Sequence, residues 1–350
     1  MTRTSTRAHH RPTITDVARA AGVSTAVVSY ALNDRPGVSA ATRERVLRVA
    51  EEFGWRPSVA ARSVRCGTRT VGLVVTCRPG TLAAEAHFLE FVTAATEVVA
   101  ARGLSLAVHV ADADEDLAET YREWWAERRF TLMVVPDVRT DDERVATLRR
   151  LGAPGVVLAP AADGEGLGCV TFDEEQVAER IVSAAVELGH RAIAAVTGPM
   201  DLRRTQARVA ALRTAAARSG VLLAHRATDA SVESVAAATH ALLSAPERPS
   251  LVAYDTDTGA LAGLDVARRC GLTVPWDVSI IAIGDSGLCR LAMPPITVLP
   301  LPMAALGTAV GQSVLAVLDG DGERTVVVPV GGLVLRGSTS PHVPVGARNG

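Results

Sequence analysis

The chain has 350 residues, 48% of them hydrophobic, which is enough apolar material for a large core divided among two or three domains. No apolar run is long enough for a transmembrane helix, and the opening MTRTSTRAHHRP lacks the apolar core of a secretory signal. A formal net charge of −2 conceals an asymmetry: residues 1–69 hold twelve Arg against five acidic residues, about +7, leaving about −9 for the remainder.

Every basic residue is Arg; the sequence contains no Lys. The five cysteines (Cys66, Cys77, Cys169, Cys270, Cys289) are scattered, odd in number and without CxxC spacing, as expected of a reduced cytoplasm. A cytoplasmic protein without membrane contact is therefore expected.

Residues 1–12 read as a flexible basic arm. From Thr13 the pattern turns helical, with Ile14, Val17, Ala18 and Ala21 at i, i+3, i+4 and i+7 forming one apolar stripe. Thr13 with Asp16 resembles a capping box, and Gly22 permits the sharp turn that follows. Ser24 is placed to cap a second helix whose Val28, Ala31 and Leu32 point inward. Thr25, Ala26, Ser29 and Tyr30 then occupy the opposite face, small or hydrogen-bonding, and free to enter a groove. A third helix begins at Ser39 and is expected to bury Val46, Val49, Ala50 and Phe53. This spacing implies a helix-turn-helix over 13–57 with its recognition helix exposed. Positive charge lies where phosphate neutralisation requires it. Pro57, a good helix entry, opens a hinge over 58–69.

From Thr70 onward apolar strands alternate with amphipathic helices. Strands are predicted at 71–75, 104–110, 131–136, 155–160, 192–198, 251–255 and 279–284, and helices at 88–102, 174–188, 203–219, 232–243 and 258–271. Near-continuous apolar runs of this length suit parallel strands covered on both faces. The body therefore reads as two open α/β layers with right-handed crossovers. Ligands in such sheets sit outside the carboxyl ends of the strands. Trp124 and Trp125 are expected to pack on a helix, and 341–350 reads as a tail without a heptad.

Two strings mimic enzymes. GDSGL (284–288) contains Ser286, but no G-x-S-x-G elbow precedes a helix there. GEGLG (164–168) leads into a strand, not a phosphate-cradling helix. The eight histidines show no metal spacing, so neither a metal nor a cofactor is expected.

The head motifs T-x-x-D-V-A-x-x-A-G-V-S, V-S-x-x-L-N and V-S-x-x-T-R-x-R-V, followed by RPSVAARSV, resemble the lactose/galactose-repressor family of bacterial transcription regulators. LGHRAIAAVTGP (188–199), VPWDVSIIAIGD (274–285) and LVLRGST (333–339) extend the resemblance from Thr13 to Thr339. It implies a small all-α helix-turn-helix head joined to a two-lobed α/β core of periplasmic-binding-protein-like fold over 70–340. Strand crossings are implied near 168–173, 297–300 and 324–328. The N-lobe would span about 70–168 and 300–325, and the C-lobe about 170–298 and 326–340.

By the same resemblance the chain acts as a homodimer on a pseudo-palindromic double-stranded operator, as a repressor and not as an enzyme. A small-molecule effector, a sugar or sugar-derived metabolite, would bind between the lobes. Thr25, Ala26 and Tyr30 occupy the family's specificity positions, the last often Arg. Thr13, Ser24, Asn33 and Ser39 match phosphate-contacting positions. Ala61, Arg62, Ser63 and Val64 match the hinge helix that wedges an apolar side chain into the minor groove, where the family usually has Leu at Val64.

For the effector, Arg208 matches the Arg that clamps it, and such a planar fork suits carboxylate, phosphate or hydroxyls. Asp173 lies at a lobe crossing. Thr256 and Asp257 stand where the family reads Asn-Asp, and Asp285 remains of an Asp pair whose first member is Gly284. Pro300 and Leu301 replace Arg and Gln. These departures keep open an effector-insensitive regulator with a decayed pocket; a hydrolase using Ser286 is the remote alternative.

Overall fold

Three short helices form the head: α1 (Ile14–Ala21), α2 (Thr25–Leu32) and α3 (Ala40–Glu52). The computed structural model describes residues 12–32, 35–53, 55, 68–76, 86–111, 115–160, 166–321 and 324–342. Contacts divide it into a unit up to Thr68 and a unit from Arg69 onward.

In the head, local chemistry sets each helix start. Thr13 Oγ1 accepts from the Asp16 N–H while the Asp16 carboxylate accepts from the Thr13 N–H, so the capping box is complete. Gly22 ends α1 in the left-handed region at φ 65°. Ser24 Oγ accepts from Val27 N at 3.3 Å, and Ser39 Oγ from Thr42 N at 3.3 Å. Val17, Val28 and Val46, one from each helix, are fully buried together with Ala18, Ala21, Ala31, Val49 and Ala50. Phe53 departs from expectation: it follows the last turn of α3 as its C-cap, off the buried stripe, and is 40% exposed.

The second unit alternates strand and helix. Its first half runs β1 (Thr70–Thr76), α4 (Ala86–Ala100), β2 (Ser105–Ala111), α5 (Leu117–Ala126), β3 (Leu132–Val135), α6 (Glu143–Leu151), β4 (Gly155–Leu158) and β5 (Gly168–Phe172). There follow α7 (Glu174–Glu187), β6 (Ala192–Thr197), α8 (Arg203–Arg218), β7 (Leu222–Ala227), α9 (Val232–Leu243), β8 (Leu251–Tyr254), α10 (Asp257–Arg269) and β9 (Ser279–Ile283). The chain closes with α11 (Gly287–Leu291), β10 (Thr297–Leu299), α12 (Met303–Leu318) and β11 (Thr325–Val328).

All strand pairs are parallel. One sheet has the order β11-β5-β4-β3-β1-β2 and the other β10-β9-β8-β6-β7, giving the two lobes. The central strands β3, β8 and β9 are buried throughout, as expected of sheets covered on both faces, while the edge strands β2, β7 and β11 are partly exposed.

The lobe boundaries shift from those expected. β5 and β11 pair with each other and β5 with β4, so residues through 172 and the segment 325–328 belong to the N-lobe sheet. The C-terminal segment then returns to the C-lobe. Val334 pairs with Val298, and Ser338 Oγ donates to Ile280 O at 2.6 Å while accepting from Thr297 N at 2.8 Å.

Some elements carry no sequence periodicity. β7 (LLAHRA) is an edge strand, half-exposed and therefore not a continuous apolar run. α12 (MAALGTAVGQSVLAVL) is apolar on nearly every side and shows no polar face. It lies close against α4 at two glycines. A Cβ on Gly307 would collide with the Phe91 carbonyl oxygen, and one on Gly311 would sit 2.7 Å from Val98 Cβ. Trp124 packs edge-on to Phe130 in the N-lobe core, as the tryptophan pair suggested. No helix among the described residues is long and apolar enough to cross a membrane.

Candidate nucleic-acid interface and effector cleft

Helix α2 (TAVVSYAL) has no charged residue. Its buried stripe turns Ser24, Thr25, Ala26 and Tyr30 to the surface, with Ser29 half-buried beside them. Tyr30 is 43% exposed. Thr13, Ser24 and Ser39 are exposed as well, although each hydroxyl caps a helix. Thr13 Oγ1 also donates to Asp16 Oδ2 at 2.7 Å and Ser39 Oγ to Thr42 Oγ1 at 2.9 Å, so a phosphate contact from either hydroxyl would exchange that bond for one to the phosphate. Asn33, Ala61, Arg62, Ser63 and Val64 lie outside the described residues, as do the arm 1–11 and the tail 343–350.

Sequence reasoning missed Arg35. Its backbone N–H donates to Tyr30 O at 3.0 Å, and its guanidinium carbon lies 6.0 Å from the centre of the Tyr30 ring. Arg43 Nη2 donates to Arg35 O at 2.8 Å. Nothing in local periodicity signals this approach, because Arg35 follows the helix in the chain.

In the core, the carboxyl ends of both sheets face one cleft. One rim is stitched across the lobes by the loop after β3 on one side and the loop after β6 with the first turn of α8 on the other. Thr140 N donates to Asp201 O at 2.8 Å, Arg203 N to Val138 O at 2.9 Å and Gln206 Nε2 to Thr140 Oγ1 at 2.8 Å. Ion pairs Arg139–Asp201 and Arg204–Asp137 reinforce it.

Arg208 is neither a surface helix arginine nor an open clamp. Its side chain is 1% exposed. Nε and Nη2 donate to the two Glu174 oxygens at 2.7 and 3.0 Å, and Nη1 donates to Asp255 Oδ1 at 3.0 Å. Asp255 Oδ2 in turn accepts from Gly198 N at 3.1 Å. Burial opposes the charge, but the two carboxylates outweigh it and hold the guanidinium charged. With two carboxylates against one guanidinium the cluster is net acidic. That geometry removes the reason for expecting Arg208 to select an anion. Glu174 and Asp255 themselves escaped sequence reasoning, since they lie 34 and 47 positions from Arg208.

The remaining candidates are distributed around the same strand ends. Asp173 caps α7 by accepting from Gln176 N at 2.9 Å, and Thr256 caps α10 by accepting from Gly259 N at 3.0 Å. Asp257 Oδ1 accepts from Thr258 N. Asp285 Oδ2 accepts from Arg336 Nη2 at 2.7 Å and from Arg290 Nη1 at 3.3 Å. The Arg336 hydrogen bond, together with both arginine charges, holds this carboxyl below the usual range. Leu301, standing where a polar residue was expected, packs against the hydrophobic cluster shared by both lobes.

Two buried polar atoms in the cleft have no hydrogen-bond partner among the described residues: Asp285 Oδ1 and His87 Nε2. They come from opposite lobes. His87 Nε2 lies 3.8 Å from where a Cβ on Gly284 would be, beside Asp285. Buried polar groups are rarely left unmet, so the pair marks where a ligand's polar group would be satisfied. Sequence reasoning did not single out His87.

Ser286 is 4% exposed, and its Oγ accepts from Leu288 N at 3.2 Å to cap α11. No histidine hydrogen-bonds it among the described residues, so the nucleophile reading has no base. Among the same residues no cluster of His, Cys, Asp and Glu could hold a metal ion.

Residues 13–58 match the sequence profile of bacterial regulatory proteins, lacI family, and residues 182–339 that of a periplasmic binding protein-like domain. Over 320 residues the chain is 27% identical to the HTH-type transcriptional repressor PurR of Aliivibrio salmonicida, covering 90% of this chain and 95% of that one. The transcriptional regulator CelR in complex with cellobiose superimposes with a TM-score of 0.70 at 27% identity, over 94% of this chain and 100% of that one. The Lac repressor dimer bound to operator and the anti-inducer ONPF superimposes with a TM-score of 0.81 at 24% identity, over 95% of this chain and 100% of its own. At that identity the last likeness establishes the fold alone.

Proposed function

Because the chain belongs to the lacI family of bacterial regulatory proteins, we propose that it is a cytoplasmic, dimeric repressor that binds a pseudo-palindromic operator under effector control. The observation that carries this reading is the uncharged, exposed face of α2 on a basic head. Thr25, Ala26, Ser29 and Tyr30 contact bases, while Thr13, Ser24, Asn33 and Ser39 contact phosphates. Ala61, Arg62 and Val64 supply the hinge contacts. An apolar surface for a second copy is available on both lobes, at Leu89 and Val110 and at Leu291 and Met293.

The effector lies between the lobes against Asp173, Thr256, Asp257 and Asp285, with Arg208 behind them acting through Glu174 and Asp255 and His87 added from the N-lobe. Its binding alters the lobe angle and hence the population of DNA-competent hinge, a coupling that linkage makes reciprocal. The net acidic Arg208 cluster favours a neutral, hydroxyl-rich ligand over an anion. A sugar bound by the relative CelR agrees with that preference. Ser286 serves as a helix cap, and no catalysis is assigned.

An effector-insensitive regulator is the second reading, favoured by the carboxylates that already occupy Arg208. Operator anisotropy titrated with neutral sugars, sugar acids and sugar phosphates separates the two. Release or tightening by one neutral sugar supports effector control; indifference to the whole panel supports the second reading.

A further inference from the structure

We propose that Arg35, held over the Tyr30 ring, reads a guanine edge in the major groove, so that the two residues form one base-recognition unit. The inference rests on the DNA-binding reading above and adds a specificity residue to it.

The exposed face of α2 offers the methyls of Thr25 and Ala26 and hydroxyls with one proton each to donate. It has no residue able to bond bidentately to one base. Guanine presents O6 and N7 side by side in the major groove, and the planar guanidinium fork matches both acceptors. If α2 is to discriminate guanine, the fork must come from a neighbouring segment.

Arg35 is the cation that the fold brings there. Its backbone is tethered at both sides, through N–H to Tyr30 O and through its carbonyl to Arg43 Nη2. The guanidinium carbon stands 6.0 Å from the Tyr30 centroid, within the range of a cation–π contact. Tyr30 shares its face with Thr25, Ala26 and Ser29, at i, i+1, i+4 and i+5, so a cation on its ring lies next to the surface that would meet the groove. Both side chains are exposed, and no hydrogen bond occupies the Arg35 guanidinium among the described residues. A cation–π contact at this distance uses no N–H of the group and leaves its donors for a base. Tyr30 thus works as a platform and its hydroxyl is dispensable.

The test uses the full chain and a random pool of duplexes to obtain the half-site profile, followed by titrations of the selected duplex at several salt concentrations. Arg35→Ala is expected to abolish a guanine preference at one position and weaken the selected site tenfold to about a hundredfold. Tyr30→Phe should keep the profile. Tyr30→Ala should lose the same preference as Arg35→Ala, with the double variant little worse than either. A phosphate contact alone would weaken all duplexes alike, leave the profile unchanged and reduce the salt slope by about one. That result would overturn the proposal while leaving DNA binding intact, as would a profile with no guanine position sensitive to Arg35. A wild-type chain that bound no duplex would overturn the DNA-binding reading itself, and this proposal with it.

Discussion

Arg208 holds both oxygens of Glu174, at 2.7 Å from Nε and 3.0 Å from Nη2, joining the start of α7 to the interior of α8. The pair is almost entirely buried, and Asp255 completes it from the end of β8. A side chain that its motif marks as an effector clamp is instead a structural link between three elements of the C-lobe. Removing it affects folding before it affects ligand binding.

Arg208→Ala leaves two buried carboxylates without their counter-charge, which typically costs about 3–5 kcal/mol. Chemical denaturation of the full chain, followed by circular dichroism, should show the core unfolding at lower denaturant by that amount. A loss below about 1 kcal/mol, the range of an exposed ion pair, would contradict the buried network.

Acid should weaken the core through its paired carboxylates. Asp285 is held low by Arg336, and Asp142 is low because the hydrogen bonds and charge of Arg144 outweigh the opposing effect of burial. Both carboxyls lie below their unfolded values, so the stability they contribute is present above the unfolded value of about 3.9. It is lost as pH falls through the lower folded values. Denaturation midpoints should drop below about pH 4, and Asp285→Asn should flatten part of that fall.

Helix caps in the head are expected to matter without any DNA present. Thr13→Ala and Ser39→Ala each remove a side-chain acceptor from a helix N-terminus, at about 1 kcal/mol. Ser39→Gly should cost only a few tenths as much stability. Thermal melting of the head signal reads these differences. Operator affinity measured well below the melting range then isolates any phosphate contact.

Tyr30→Arg should move the preferred half-site, because a fork placed on α2 itself competes with the one brought by Arg35. Discrimination of about 1–3 kcal/mol per good base contact is expected. An unchanged profile would remove Tyr30 from the reading surface. In the hinge, Val64→Leu should tighten specific binding and leave non-specific binding alone. No effect of Val64→Gly on operator bending would reduce the segment to a linker.

Much of this was legible from local pattern. The head follows from the stripe Ile14, Val17, Ala18, Ala21 and from caps three residues long, all interactions within one turn of helix. Apolar runs such as VGLVV and SIIAI marked buried parallel strands for the same reason. α12 escaped because its exposed positions include Ala304, Ala305 and Leu318, so no charged face gives it an amphipathic signal. Phe53 shows the converse, a large apolar residue exposed because the helix ends beneath it. The sites were less legible than the fold. Arg208 could be aligned to a motif, but its carboxylate partners are distant in the chain. His87 and Arg35 acquire meaning only from Gly284 and Tyr30, which tertiary structure brings beside them.

DNA selection with and without the head tests the central claim most directly. The full chain and a chain lacking residues 1–68 are each offered the same random duplex pool at low and raised salt. The full chain should enrich a pseudo-palindrome, with affinity falling steeply as salt rises and counterion release is lost. The truncated chain should enrich nothing. Enrichment of the same site by the truncated chain would place recognition outside the head and contradict the function assigned to α2.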